Sequence, residues 1–194
     1  AGVHAVEQSA HFECKKEIQN LDKFLKSVNH FVNDMNVSIM NIKKRNLNFH
    51  ARFSAKQRVY KYIIFNRLSR PSIEKGRGWH VIKKLDIPLM KKGAKKLLGT
   101  NDFSTFRSSS CNAKSPIRTM KSVKIRSIRG RIEIQFKSQS FLQQQVRSMV
   151  GCLKYLAEKK WDLNKFDLAF KSKKRTLCAP PAPAEGLFLE KVIY

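Results

Sequence analysis

At 194 residues and 42% hydrophobic content, the chain can bury one substantial core or two small ones sharing a sheet, which excludes a disordered tail. Forty lysines and arginines, 40 against 14 acids, give a formal net charge of +26, so a polyanionic partner is expected. The longest apolar stretches, such as 62–65, fall far short of the ~18 residues of a membrane span, and no signal-peptide pattern opens the chain, so an intracellular, cytoplasmic protein is expected.

Leu21, Phe24, Leu25, Val28, Phe31 and Val32 recur at spacings of three and four, the stripe of an amphipathic helix lying on another element. Val37, Ile39, Met40 and Ile42 read as a strand that runs into the basic residues 43–45. Residues 59–65, rich in β-branched and aromatic side chains, read as a strand buried on both faces or nearly so. Alternation sets Arg58, Tyr60 and Tyr62 on one of its faces and Val59 and Lys61 on the other. Pro71, Gly76 and Gly78 punctuate the loop that follows.

Asp86 as N-cap, Pro88 in the first turn, an apolar side of Met90, Ala94, Leu97 and Leu98, and Gly99 past the end mark a second helix. Val123 and Ile125 lead into Arg129-Gly130, after which Ile132, Ile134 and Phe136 alternate with Arg131, Glu133, Gln135 and Lys137: a hairpin with one buried face. Leu142, Val146, Met149, Val150, Leu153 and Ala157 form a third helical stripe, and Asp162 opens a fourth with Leu163, Phe166, Ala169 and Phe170. Pro180, Pro181 and Pro183 stiffen a turn before a closing strand over 186–194. The pattern is α+β, a largely antiparallel sheet with helices on one face and the other face free. A helix followed by a strand occurs in both halves, a weak internal similarity.

Charge is distributed unevenly. No acid occurs between Asp34 and Glu74, a window holding Arg52, Arg58 and seven other cations, or between Phe103 and Ile132, a window holding Arg107, Lys114, Arg118 and five more. Such single-sign fields point to phosphate contacts, with an anionic membrane surface as the lesser alternative; codon bias that inflates lysine on any solvated face would also raise the count. The cysteines Cys14, Cys111, Cys152 and Cys178 have no C-x-x-C spacing and read as reduced, mostly buried thiols. The five histidines are scattered, and no phosphate loop, H-E-x-x-H or G-x-S-x-G occurs. Tyr60 or Tyr62 can stack on a flipped base while a neighbouring arginine such as Arg58 holds phosphate, or both tyrosines can be ordinary strand formers in the core. Arg147 lies at the margin of an apolar helix stripe with no local anion; its partner comes from elsewhere in the fold or from RNA, or it is simply exposed.

Five ordered blocks carry a resemblance: AGVHAVEQSAHFE at the start, FHARFSAKQRVYKYIIFN over 49–66, LLGTNDFSTFRSSSCNAKSPIRT over 97–119, SFLQQQVRSMVGCL over 140–153 and APPAPAEGLFLEKVIY over 179–194. In this order they resemble the tRNA pseudouridine synthases that act at tRNA positions 38–40. The resemblance implies an isomerase without cofactor or metal, acting on tRNA as a homodimer. It implies that the family motif G-R-T-D-A-G-V-H-A is met from Ala1 onward, so that the catalytic aspartate would directly precede Ala1 and residues 1–194 would lack it. Neither Glu13 nor Asp102 matches that aspartate. Tyr60 falls on the tyrosine that stacks on the target base and Arg147 on the arginine that pairs with the aspartate, while Arg52, Arg58, Arg107 and Lys114 correspond more loosely to RNA contacts. Gln144 and Gln145 stand where relatives often have histidine and methionine. By the same resemblance, 1–48 is the remnant of an incomplete N-terminal half and 49–194 the C-terminal half of two related halves. A non-catalytic RNA-binding remnant is the alternative reading.

Overall fold

The computed structural model describes residues 2–194; Ala1, and the boundary expected there, lie outside the described residues. Two units are present, one of residues 2–8 with 55–194 and one of residues 9–54. Numbered in chain order, the strands are β1 (His4–Ala5), β2 (Gln57–Phe65), β3 (Trp79–His80), β4 (Gly99–Asp102), β5 (Ile117–Ile128), β6 (Arg131–Ser138) and β7 (Leu187–Ile193). The helices are α1 (Leu21–Phe31), α2 (Ile87–Lys96), α3 (Gln145–Ala157) and α4 (Leu163–Lys171). The fold is α+β.

All seven strands belong to one sheet of the larger unit, in the order β1-β7-β2-β6-β5-β4, with β3 beside β2. The β1–β7 and β2–β3 pairs are parallel and the others antiparallel, so the sheet is mixed and mostly antiparallel. The hairpin β5–β6 closes through Arg129 and Gly130 with φ of 48° and 77°, the left-handed pair that a tight two-residue turn requires. Along β6 buried and half-buried residues alternate without exception, which places Ile132, Ile134 and Phe136 in the core.

Tyr62 and Ile64 of β2 join that core, which α2, α3 and α4 complete with Met90, Met149, Leu153 and Phe166. Ile63 and Phe65, on the opposite face of β2, are buried as well. Phe65 is covered by the backbone at Gly78, where a Cβ would overlap its ring. The Asp86 carboxylate accepts the Leu89 N–H at 2.9 Å and caps α2. Asp86→Ala should destabilise the protein by about 1 kcal/mol in urea unfolding, the usual loss of a good N-cap; no change would show that Pro88 alone sets the helix start.

In the smaller unit, α1 is capped by Asn20, whose Oδ1 accepts the Lys23 N–H at 2.8 Å. Leu21, Phe24, Leu25 and Val28 are half-buried while Phe31 is exposed, and no residue of α1 is fully buried. The strand expected over 37–42 is not formed. Asn36 turns the chain with φ of 53°, and the Asn29 amide then takes both backbone groups of Ile39, accepting its N–H at 2.7 Å and donating to its carbonyl at 2.9 Å. A side chain thus supplies the pairing that a neighbouring strand would have given. Among the described residues no helix is long and apolar enough to cross a membrane.

Candidate active site

Three elements of the larger unit converge on the turn that the prolines stiffen. Gly151 of α3 faces the turn so closely that a Cβ there would overlap the Pro180 carbonyl oxygen. Four residues earlier on α3, Arg147 exchanges two bonds with the same turn: its Nε donates to the Ala182 carbonyl at 2.6 Å, and its own carbonyl accepts the Ala182 N–H at 3.0 Å. From β2, the Tyr62 hydroxyl donates to the Pro183 carbonyl at 2.8 Å. Gly186 lies flat on that ring, where a Cβ would come within 2.6 Å of Cζ. The start of the chain reaches the same place, because β1 runs parallel to β7 and Gly2, with φ of 84°, would bring a Cβ to 3.3 Å from that of Ala184.

These contacts fix the guanidinium of Arg147. It is half-buried, and only Nε is used; the two terminal nitrogens make no hydrogen bond or ion pair among the described residues. Its partner does come from elsewhere in the fold, but it is a neutral carbonyl and not an anion. Burial pushes the Tyr62 phenol far up, with the Arg147 charge opposing and Glu185 adding to the shift, so Tyr62 stays a neutral donor. The sequence marks Tyr62, beside Tyr60, only as a candidate ring for stacking on a base, not as an anchor of the turn. Its value lies in a contact 121 residues away, which alternation along a strand does not reveal.

Tyr60 lies on the same face of β2, between Phe136 of β6 and Leu189 of β7. It is half-buried and meets Phe141 edge-on at 5.1 Å, so it packs against the core while keeping part of its surface outside. Burial raises its phenol too, with Arg58 opposing. Arg58 donates from Nη1 to the Gln139 carbonyl at 2.7 Å, which ties it to the segment before α3. Arg107 and Lys114 lie in the loop before β5; Arg107 is half-buried and donates to the Cys111 carbonyl, while Lys114 is exposed. Arg52 belongs to the smaller unit, exposed, with its guanidinium 5.5 Å from the Phe53 ring centre.

Chemically, the turn offers a fixed cation whose two terminal nitrogens are free and one neutral phenol, that of Tyr62, with no carboxylate paired with the cation among the described residues, while Tyr60 lies two residues away on the same face of β2. Such an arrangement can hold an anion at Arg147 and a planar group at Tyr60. Among the described residues no cluster of histidine, cysteine, aspartate and glutamate could hold a metal ion. The close approach at Gly151 makes the arrangement sensitive to one methyl group. Gly151→Ala should cost about 3 kcal/mol in urea unfolding, since backbone and not a flexible side chain must move; a loss below ~1 kcal/mol would mean that the turn lifts freely from α3.

Comparison with known proteins identifies the family. The family described as tRNA pseudouridine synthase is matched over residues 94–194. The tRNA pseudouridine synthase A of Pelagibacter ubique (strain HTCC1062) is 81% identical over 194 residues, covering 100% of this chain and 79% of its own length. Those of Caulobacter vibrioides (strain NA1000 / CB15N) and Zymomonas mobilis (strain ATCC 31821 / ZM4 / CP4) are 38% and 37% identical, each over 100% of this chain and over 78% and 79% of their own lengths. The segments that build the turn, 140–153 and 179–194, both lie inside the matched family region, and with the full-length similarity they establish that the chain belongs to the tRNA pseudouridine synthase A family.

Proposed function

We propose that the protein is an isomerase that converts uridine to pseudouridine in tRNA, at positions 38–40 of the anticodon arm, in the cytoplasm, as a homodimer and without metal or cofactor. The reaction breaks the bond from C1′ to N1, turns the uracil, and joins C1′ to C5; the C5 proton is lost and N1 gains one. A carboxylate acting at the sugar or base and a pocket that holds the flipped base are its requirements. On this reading Tyr60 stacks on the target base, Arg147 pairs with the catalytic aspartate, and Arg52, Arg58, Arg107 and Lys114 contact the RNA backbone. Helices cover one face of the sheet, and residues 1–48 and 49–194 belong to two related halves.

One observation carries the proposal: Arg147 is held by backbone with both terminal nitrogens to spare, and Gly2 lies beside the same turn at Ala184. In a form in which the family's aspartate precedes Ala1, that residue would lie within about 7 Å of Gly2 along the chain. Tyr60 lies on the core-facing side of the same strand as Tyr62, which feels the Arg147 charge.

The test uses tRNA transcripts labelled with tritium at uridine C5, since isomerisation releases that hydrogen. Residues 1–194 are expected to bind the transcript without releasing tritium, and a form in which the family's Gly-Arg-Thr-Asp precedes Ala1 is expected to release it. Release by residues 1–194 alone would overturn the assignment of the nucleophile. Binding without release by both forms would favour the non-catalytic RNA-binding reading.

A further inference from the structure

Cys152 and Cys178 lie 3.5 Å apart, sulfur to sulfur. Cys152 is on the buried side of α3, 1% exposed, and Cys178 is half-buried directly after the short turn Arg175–Leu177. Arg175 is aimed at this pair. Its Nη1 lies 3.3 Å from the Cys178 sulfur and 2.7 Å from the Ser148 hydroxyl, and 3.4 Å from the Thr105 carbonyl. None of these groups takes part in the site at the proline turn.

We infer that Cys178 and Cys152 form an oxidisable dithiol site, with Cys178 as the thiol that attacks a hydroperoxide and Cys152 as the thiol that resolves it to a reversible disulfide. The hydrogen bond from Cys152, Arg175 and the Ser148 hydroxyl together outweigh burial and hold the Cys178 thiol below its ordinary range, whereas the bond to Cys178 and burial push Cys152 up. Of the two, Cys178, the more exposed, therefore has the greater thiolate character, which is what makes a cysteine attack peroxide.

The steps balance with a hydroperoxide as the two-electron oxidant. The Cys178 thiolate attacks one peroxide oxygen, the S–O bond forms and the O–O bond breaks, and hydroxide or alkoxide leaves. The Cys152 sulfur then attacks the Cys178 sulfur, the S–S bond forms and the S–O bond breaks, and the hydroxide leaves as water with the Cys152 proton. The sulfurs need to approach by only roughly 1.5 Å to reach the bond length of about 2.05 Å. The chain between Cys178 and Ala182 is the turn that lies on Gly151 and anchors Arg147, so the disulfide would add a covalent tie at the base of that turn.

The test is hydrogen peroxide treatment of the 194-residue chain followed by peptide mass mapping without reductant. The expected product is a linked Cys152–Cys178 peptide pair lighter by two hydrogens, reversed by dithiothreitol, with Cys14 and Cys111 left as thiols. Cys152→Ser should stop the reaction at a Cys178 sulfenic acid that dimedone traps. Arg175→Met should slow Cys178 oxidation about tenfold, as thiolate character falls, with Cys14 still left as a thiol. Oxidation of Cys14 or Cys111 with Cys178 left as a thiol, or Cys178 linked to any sulfur other than Cys152, would overturn the inference. So would dimedone capture absent from Cys152→Ser, a variant that keeps the side chain's size.

Discussion

Arg147→Met, introduced into a form of the protein that carries the family's aspartate before Ala1, is expected to lower pseudouridine formation about 10³-fold while tRNA affinity stays within about threefold. The size follows from what the guanidinium does. Removing one member of a partly desolvated charge pair leaves the other uncompensated, at a cost of about 3–5 kcal/mol. Arg147 is half-buried and already oriented by its Nε bond to Ala182, so it meets an incoming carboxylate without further ordering. Lysine is a poor substitute, because one ammonium cannot hold the Ala182 carbonyl and present a two-pronged donor together. Arg147→Lys should therefore lose at least about 10²-fold. Single-turnover tritium release and gel-shift titration separate the two effects. Activity within about threefold of the parent for Arg147→Lys would mean that charge alone matters and that the anchor at Ala182 does not.

The regular elements that bury an alternating or helical stripe could be read from the sequence, because burial leaves its period in the residues. The hairpin β5–β6 is the clearest case: its core residues Ile132, Ile134 and Phe136 alternate with polar ones, and Arg129-Gly130 supplies the turn. Helices α2 and α4 announced themselves through Asp86 and Asp162, both of which cap as expected. Short edge strands left no such trace. β4 is Gly-Thr-Asn-Asp, polar throughout, and exists because its backbone pairs with β5. Residues 37–42 have strand-like side chains, yet Asn29 claims the backbone of Ile39.

Legibility of the candidate site divides along the same line. Tyr60 and Arg147 stood out as residues of unusual type for their surroundings. The parts that hold them did not, since Gly151 under Pro180, Gly186 on Tyr62, and the Ala182 carbonyl at Arg147 are close approaches between segments distant in sequence. A glycine in a helix carries no mark of what lies against it.

The electrostatics give the other large effect. Many of the acids are spent on local partners. Burial pushes Glu190 up, but bonds from Gln135 and Lys61 outweigh it and keep the carboxyl ionised below its usual range. Glu158 is held down in the same way by Lys154 and Lys160, and Asp102 by Ser104 and Lys173, against the effect of burial. Asp167 binds Lys96 at 2.6 Å. Lys114, Lys121, Lys124, Arg126 and Arg129 are exposed, in a stretch of sequence with no acid to offset them, and this is where the net charge of +26 becomes available to a polyanion. If about six phosphates are contacted, tRNA affinity should fall about 10³-fold between 50 and 200 mM salt, with a linear plot of log K against log salt. Lys124→Gln and Arg126→Gln together should reduce the slope by about two phosphates' worth and weaken all tRNA sequences alike. A flat salt response would mean that base contacts and stacking at Tyr60 carry the affinity, and that the basic stretches are solvated surface and no more.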